Sequence, residues 1–295
     1  MPLKTVGILS PGDMGHTVGD VLGAHGLRVI TCLAGRSKRT HELAKQAGID
    51  DVPTYQALVN EADTILSILV PAQAKNAAQM VAEALDGTDT DLVYADCNAV
   101  APQTANQLDA IITDAGGRFV DASIIGPPPR NPGATRFYAS GPHVSAFEEL
   151  SDFGLDIRGL GEEIGQASTI KMCYASLTKG LTALSTVLLT AAEAMGVSDA
   201  LREEFQLSQS ALYERMERGL PTMLPKARRW IGEMEEIAST FAHVGLTPKI
   251  HEGAADTYRF ISKTSLADLN PEDKDAFPSL VAMIENLAEA LGEKS

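Results

Sequence analysis

The chain has 295 residues, 44% hydrophobic and 21% charged, a composition typical of a soluble globular protein long enough for two domains. Its 24 basic and 39 acidic residues give a net charge of −15, which would repel nucleic acid. The three cysteines, Cys32, Cys97 and Cys173, are widely separated and form no Cys-x-x-Cys motif, so neither a disulfide framework nor a metal site is expected.

Nothing in the sequence predicts a membrane segment. No apolar run reaches the length of about 18 residues that a spanning helix needs, and Thr and Ser interrupt the longest candidate, Leu181–Ala192. The first residues have no signal-peptide pattern. We therefore expect a cytoplasmic protein without a membrane partner.

The first half of the chain alternates short apolar runs with amphipathic stretches, which is typical of β-α-β units on a parallel sheet. The predicted strands are Thr5–Leu9, Val29–Leu33, Thr64–Leu69, Leu92–Ala95 and Phe119–Asp121. The predicted helices are Met14–His25, Lys38–Ala47, Gln73–Leu85 and Gln103–Ala115. We expect residues 1–163 to form an α/β domain with a doubly wound, mostly parallel sheet.

The second half contains only helical patterns. The predicted helices are Ala167–Met195, Asp199–Arg218, Leu224–Val244, Ile250–Ser262 and Pro278–Leu291. Residues 164–295 should therefore form an all-α domain that closes over a small substrate and forms subunit contacts.

A glycine-containing turn follows the first predicted strand and opens the first helix. It reads Ser10-Pro11-Gly12-Asp13-Met14-Gly15 where a dinucleotide-binding fingerprint reads Gly-x-Gly-x-x-Gly. Backbone at Ser10, Gly12, Asp13 and Met14 would approach the pyrophosphate, at the positive end of the helix dipole. Ser10 can replace the first glycine if its φ stays negative. The pattern predicts a Rossmann domain, although a turn of this kind without a ligand is the simpler alternative.

The segment after the second strand selects the cofactor. An acidic residue there would bind the ribose of NAD, but the chain has Arg36-Ser37-Lys38-Arg39. Arg36 or Arg39 could pair with a 2′-phosphate, and Ser37 could donate a hydrogen bond to it. We therefore expect NADP rather than NAD; the alternative is a solvated helix start.

Lys171 and Lys179 are the only charged residues between Ala167 and Ala192, a stretch that we expect to be buried on most sides. A buried lysine needs a partner or a task. Lys171 could protonate the alkoxide formed when a carbonyl accepts hydride, and remove that proton in the oxidation direction. The alternative is a lysine whose ammonium reaches solvent near the helix start.

Four segments together resemble the β-hydroxyacid dehydrogenase family, which includes 3-hydroxyisobutyrate and 6-phosphogluconate dehydrogenases and, more distantly, imine reductases. The segments are Val6–Gly15, Asp96–Pro102, Phe119–Gly126 and Gly165-x-Ala167-x-x-x-Lys171. The resemblance implies an NADP-dependent dehydrogenase or reductase acting on CH–OH groups, with Lys171 as catalyst and Tyr174 beside it. It also implies cofactor contacts from Val70, Pro71 and Asn98, substrate contacts from Ser123, Ile125, Gly126 and Arg130, and a homodimer with its active site between the domains.

Three departures from the family pattern put a simple 3-hydroxy acid substrate in doubt. Ile125 replaces the substrate-loop serine, Pro127 replaces a glycine, and Tyr174-Ala175 replace two asparagines. Arg130 and Arg136 could bind an anionic substrate or lie on the surface. An imine reductase, an oxidative decarboxylase and a non-catalytic NADP-binding regulator remain alternatives.

The segment from Arg228 to Ala255 is similar to a poorly characterised subgroup whose helical domain has no known function. Gly232 falls where the wider family has a second active-site lysine, and His251 is either a pocket acid or a helix histidine with its hydrogen bonds satisfied. The sequence does not identify the natural substrate or the physiological direction of the reaction.

Overall fold

The first half of the chain forms one eight-stranded sheet. Its strands are β1 (Thr5–Leu9), β2 (Arg28–Thr31), β3 (Asp50–Asp51), β4 (Thr64–Ser67), β5 (Val93–Asp96), β6 (Arg118–Ile125), β7 (Arg136–Ser140) and β8 (Asp156–Gly159). Their order in the sheet is β3-β2-β1-β4-β5-β6-β7-β8, and every neighbouring pair is parallel except β6 and β7. The predicted doubly wound, mostly parallel Rossmann sheet is confirmed.

The structure, a computed structural model, describes residues 3–270 and 273–292. The chain divides into two compact units, Met1–Met172 and Cys173–Ser295. The division falls inside a helix, whereas the predicted domain boundary lies at residue 163.

Six helices cover the sheet: α1 (Gly15–Ala24), α2 (Lys38–Gln46), α3 (Tyr55–Glu61), α4 (Pro71–Leu85), α5 (Pro102–Asp114) and α6 (Val144–Glu148). Alternate residues of the strands enter two apolar cores, one on each face. One core contains Val18 of α1 and Phe147 of α6, and the other contains Leu58 of α3, Val81 of α4 and Leu108 of α5. Because helices cover both faces, the central strands are apolar on both sides.

The helix α7 (Gln166–Ala194) begins in the first unit and continues into the second. The second unit then contains α8 (Ser198–Ser208), α9 (Ser210–Gly219), α10 (Ala227–His243), α11 (Lys249–Ile261) and α12 (Leu280–Gly292). Among its described residues this unit is helical, as predicted.

Two predicted helices have different bounds in the structure. The helix expected over Asp199–Arg218 is two helices separated at Gln209, whose backbone lies at φ −138° and ψ 36°. The helix expected from Leu224 begins as a 3-10 turn, Pro221–Lys226, because Pro225 lacks the N–H that an α-helix would use.

By length and composition, α7 is the one described helix that could cross a membrane. Its most apolar 18-residue window has a mean hydropathy of 1.2, and only 33% of that window is buried. The expectation that this helix is buried on most sides is therefore wrong. Both lysines of α7 bond within the protein, Lys171 to a backbone carbonyl and Lys179 to Glu233. A single helix of this kind is weak evidence of a membrane span.

Candidate functional site

The turn between β1 and α1 contains a strained residue. Ser10 has a φ of +62°, in the left-handed region, and its carbonyl accepts a hydrogen bond of 2.6 Å from the N–H of Gly12. The expectation of a negative φ is wrong, because the tight turn requires the backbone that glycine supplies in the usual fingerprint. A serine in this conformation costs about 1 kcal/mol or more.

The two glycines of the turn serve different purposes. A Cβ on Gly15 would lie 2.9 Å from the Ser10 carbonyl oxygen and 3.2 Å from the Ile8 side chain, so the packing of α1 requires glycine there. A Cβ on Gly12 would have no neighbour closer than 3.9 Å. The fold leaves space at Gly12, which is what a closely approaching phosphate needs.

The start of α1 has the electrostatics of an anion site. Its N-cap residue, Met14, provides no side-chain hydrogen bond, and the first turn has no acidic residue. Asp13 lies beside it, and its Oδ1 is 4.0 Å from Arg39 Nη2 and 3.8 Å from Arg130 Nη2. The structure thus brings predicted cofactor and substrate residues together around one carboxylate.

Arg36 lines a cavity of about 200 Å³ at the end of β2, together with Tyr55, Leu69 and Gln73. Its Nη2 donates a 3.1 Å hydrogen bond to the Tyr55 hydroxyl. The guanidinium is therefore held at the cavity that the predicted adenosine half of the cofactor would occupy.

Ser37 has a structural role that was not predicted. Its hydroxyl is the N-cap of α2 and accepts a hydrogen bond from the backbone N–H of Thr40. The N-terminus of α2, where the basic residues Arg36, Lys38 and Arg39 lie, is therefore capped by a side chain. The prediction that Ser37 also donates to a phosphate stays a prediction.

The other predicted cofactor residues lie at the ends of β4 and β5. Val70 is 41% exposed as the N-cap residue of α4, and Pro71 is the first residue of that helix. Asn98 is buried, accepts a hydrogen bond from the Leu69 N–H, and donates from Nδ2 to Ser67 Oγ at 2.9 Å. Through these hydrogen bonds, the Asn98 side chain fixes the backbone of the turn between β4 and α4.

Asp96, which was not predicted as a site residue, anchors Asn98. Asn98 Nδ2 donates to Asp96 Oδ1 at 2.6 Å, and the Asn98 N–H donates to Asp96 Oδ2 at 3.3 Å. Burial raises the pKa of Asp96 to about 7, against the hydrogen bonds that favour its charged form. Its position at the end of an apolar strand was the sequence signal that could have identified it.

Residues from the middle and second half of β6 hold the first two turns of α7 by hydrogen bonds. Asp121 accepts hydrogen bonds from the N–H groups of Gly165 and Ser168, both at 3.0 Å, and so caps the helix N-terminus. Burial raises the pKa of Asp121 despite these bonds. Ser123, a predicted substrate residue, is buried, and its hydroxyl donates to the Ala167 carbonyl.

Lys171 is half-buried one turn further along α7. Its Nζ donates a 2.5 Å hydrogen bond to the carbonyl oxygen of Ile124, near the end of β6. The ammonium is therefore fixed at the carboxyl end of a strand, the edge at which ligands bind in open α/β sheets. This geometry does not fit a lysine that simply extends into solvent.

The remaining predicted substrate residues differ in exposure. Ile125 is buried at the end of β6, Gly126 is exposed with a φ of +132°, and Arg130 is exposed in the loop that follows. Tyr174 lies in the second unit, one turn after Lys171 along α7, and is 49% exposed.

The second unit contains two polar pairs among apolar side chains. Lys179 Nζ lies 2.6 Å from Glu233 Oε2, with both side chains about nine-tenths buried. His251 is buried, and its Nε2 lies 2.8 Å from Ser176 Oγ. Burial lowers the pKa of His251. Within the described part of the chain, no group of three His, Cys, Asp or Glu residues is arranged to hold a metal.

In the comparison with known proteins, each of the two units contains a segment that matches a protein-family domain. Residues 5–153 match the NAD binding domain of 6-phosphogluconate dehydrogenase, and residues 192–261 match a domain of unknown function, DUF1932. An uncharacterised 28.5 kDa protein of Methanothermus fervidus is 29% identical over 198 residues, which are 67% of this chain and 74% of that protein.

Three solved structures share the fold. A conserved protein of unknown function, described as structurally similar to 3-hydroxyacid dehydrogenases, is 28% identical with a TM-score of 0.65 over 90% of this chain and 100% of that one. Mycobacterium tuberculosis 3-hydroxyisobutyrate dehydrogenase is 17% identical, with a TM-score of 0.66 over 92% and 97% of the two chains. The Aspergillus terreus reductive aminase, solved with NADPH and ethyl levulinate, is 15% identical, with a TM-score of 0.55 over the full length of both.

The family match spans β1 to the end of α6 and its 3-10 extension, and it therefore includes the turn at Gly12, the cavity at Arg36 and the buried network at Asn98. It confirms the resemblance that the sequence motifs predicted, including the helical second domain of a poorly characterised subgroup. The chain belongs to the family of proteins that contain the NAD binding domain of 6-phosphogluconate dehydrogenase.

Proposed function

We propose that this protein is an NADP-dependent oxidoreductase that moves hydride between nicotinamide and a small carbonyl or hydroxyl substrate, with Lys171 as general acid and base. The observation that carries the proposal is the 2.5 Å hydrogen bond from Lys171 Nζ to the Ile124 carbonyl, at the strand-end edge that also carries the Gly12 turn. The scaffold is that of the hydroxyacid dehydrogenases and imine reductases, which makes an oxidoreductase the natural expectation.

The described residues fit a bound dinucleotide. The space at Gly12 admits a phosphate, the N-terminus of α1 favours its charge, and the Arg36 cavity suits an adenosine with a 2′-phosphate. Ser37 and Arg39 would add contacts to that phosphate, and Val70, Pro71 and Asn98 would border the cofactor further along the strand ends. Bound nicotinamide supplies or accepts the hydride.

Lys171 transfers the proton between its Nζ and the substrate oxygen. In the reduction direction its Nζ gives a proton to the substrate oxygen, and in the oxidation direction it takes that proton back. The hydrogen bond to Ile124 orients the ammonium before the substrate arrives, which lowers the entropy that must be lost at the reacting centre. We assign Tyr174 to substrate orientation or to a share of the proton transfer, and Ser123, Ile125 and Gly126 to the substrate side of the site.

Turnover with NADPH tests the role of Lys171. A panel of aldehydes, ketones, keto acids and cyclic imines should include a substrate for the parent enzyme, and Lys171→Ala should lower its kcat by about 100-fold or more. NADPH affinity should stay unchanged, and Lys75→Ala, on the exposed side of α4, serves as the charge-matched control. An active Lys171→Ala variant would contradict the proposal.

Cofactor choice is tested at Arg36. Arg36→Ala should weaken NADPH binding by about ten-fold or more and leave NADH binding unchanged, because only NADPH has the phosphate that a guanidinium recognises. Arg158→Ala, which removes an exposed charge paired with Asp156 on β8, should change neither affinity. Equal affinities for the two cofactors in the parent protein would refute the preference for NADP.

The imine reductase alternative is favoured by one local feature. Ile125 ends β6 and Pro127 lies two residues later, and these two apolar residues suit an uncharged substrate better than a carboxylate. The same substrate panel separates the alternatives: turnover of cyclic imines alone would select the imine reductase. An oxidative decarboxylase would release carbon dioxide from hydroxy acids. NADPH binding with no turnover of any substrate would indicate the regulatory protein.

A further inference from the structure

Arg130 lies in a stiff loop between β6 and β7. Three consecutive prolines occupy residues 127–129, and Thr135 Oγ1 donates a 2.5 Å hydrogen bond to the Pro127 carbonyl. The N–H of Arg130 itself donates to the Pro128 carbonyl at 2.7 Å. At Gly126 a Cβ would lie 2.3 Å from the Ala134 carbonyl oxygen, so the loop closes tightly at its base. The backbone of Arg130 therefore has a defined place without any ligand.

The guanidinium of Arg130 extends from this loop to the turn between β1 and α1. Its Nη2 lies 3.8 Å from Asp13 Oδ1, the same oxygen that Arg39 Nη2 approaches at 4.0 Å. All three side chains are about half exposed or more, and ion pairs of this length and exposure add little to stability. Fold stability therefore does not explain why two arginines converge on one carboxylate.

Two guanidiniums around one carboxylate leave an excess positive charge at this turn. In a chain of net charge −15, the excess is local and lies next to Gly12, where the fold leaves space for a phosphate. A guanidinium offers two parallel N–H donors that match phosphate oxygens. In the protein alone, both guanidiniums face the carboxylate of Asp13.

We propose that Arg130 binds the pyrophosphate of the cofactor rather than the substrate, and that Asp13 holds its guanidinium in position until the phosphates replace the carboxylate. This inference rests on the proposed function, because it assumes a dinucleotide at the Gly12 turn. The two arginines then bind different groups of the cofactor. Arg36 binds the 2′-phosphate, which only NADPH has, whereas Arg130 binds the pyrophosphate, which NADPH and NADH share.

The test is calorimetric titration of Arg130→Gln with NADPH, NADH and adenosine 2′-monophosphate, which has no pyrophosphate. We expect about ten-fold weaker binding of both dinucleotides, which corresponds to about 1.4 kcal/mol, and no change for the monophosphate. The KM for the carbonyl substrate at saturating NADPH should also stay constant. Arg158→Gln is the control that removes an equal charge elsewhere on the same unit.

Three results would overturn the inference. Unchanged dinucleotide affinities with a raised substrate KM would place Arg130 on the substrate, and a loss confined to NADPH would place it on the 2′-phosphate. In both cases the proposed function survives. A parent protein that binds no dinucleotide would overturn the inference and the proposed function together.

A second variant tests the role of Asp13. Asp13→Asn removes the competing carboxylate, so NADPH and NADH should each bind about three-fold more tightly, and Arg130→Gln should still weaken binding in this background. Weaker dinucleotide binding by Asp13→Asn would contradict the competition between Asp13 and the phosphates.

Discussion

Ser10 shows how one residue can keep a fingerprint turn without its first glycine. At a φ of +62° the backbone of Ser10 is strained, and Ser10→Gly should raise the free energy of unfolding by about 0.5–1 kcal/mol, since glycine adopts this backbone freely but loses more entropy on folding. Ser10→Val should lower it, because a branched side chain suits the left-handed region least. Ser37→Gly, at a φ of −68°, is the control and should not stabilise the protein. Thermal unfolding that ranks valine above glycine at residue 10 would refute the strain.

The raised pKa of Asp96 predicts a pH dependence of stability. An ordinary aspartate in the unfolded chain loses its proton near pH 3.9, whereas Asp96 in the folded protein keeps it to about pH 7. The folded state therefore binds more protons between these values, so the free energy of unfolding should fall as the pH rises from 5 to 8. Asp96→Asn should make this fall shallower, while surface Asp20→Asn should not. Urea unfolding at several pH values measures the slopes, and equal slopes for Asp96→Asn and the parent would contradict the assignment.

Some residues of the candidate site could be predicted from the sequence, and others could not. Gly12, Arg36 and Lys171 follow a recognisable spacing, so their places in the turn, the cavity and the first turns of α7 could be anticipated. The hydrogen bonds of Asp121 join β6 to α7, and Asn98, which Asp96 anchors, donates to Ser67 of β4. Such pairings depend on the register of the sheet, which no local pattern contains.

At the level of elements, the sequence predicted the central strands and the long helices well. The strands β1, β2, β4 and β5 are buried and apolar, and they match the prediction within one or two residues. The missed strands, β3, β7 and β8, lie towards the edges of the sheet, where polar residues interrupt the apolar pattern. The short helices α3 and α6 were missed because they are too brief to show a helical period.

One buried ion pair, between Lys179 and Glu233, joins α7 to α10. Lys179→Met would remove the cation that lies 2.6 Å from the buried carboxylate of Glu233, and it should lower the free energy of unfolding by about 3 kcal/mol even though Arg229 lies 3.2 Å from the same carboxylate. Combining it with Glu233→Leu should restore much of the loss. Trp230, the single tryptophan, lies 5.3 Å from Lys179 Nζ and reports unfolding of this unit by fluorescence.

The control for this pair lies on the surface of α9. Arg218 and Glu214 are 3.9 Å apart and largely exposed, so Arg218→Met should change the free energy of unfolding by less than about 0.5 kcal/mol. A Lys179→Met variant as stable as Arg218→Met would show that the buried pair does not hold the two helices together.

For the whole molecule, composition and the alternation of patterns predicted the two architectures, and the family match confirms the cofactor-binding domain. The helix α7 continues through the division at Met172 without a break in its helical pattern, and the domain boundary expected at residue 163 stays a prediction. The homodimer and the cytoplasmic location stay predictions, because both depend on surroundings that lie outside a single chain.

The central claim is that the turn at Gly12 binds a nicotinamide dinucleotide, and one titration tests it most directly. NADPH should bind the parent protein, and Gly12→Ala should weaken that binding by about 100-fold, or about 2.7 kcal/mol. The Gly12→Ala variant should keep the thermal stability of the parent, because a Cβ at residue 12 meets no atom closer than 3.9 Å. Gly23→Ala, at an open position of α1, should leave the affinity unchanged. A Gly12→Ala variant that binds NADPH as tightly as the parent would contradict the account.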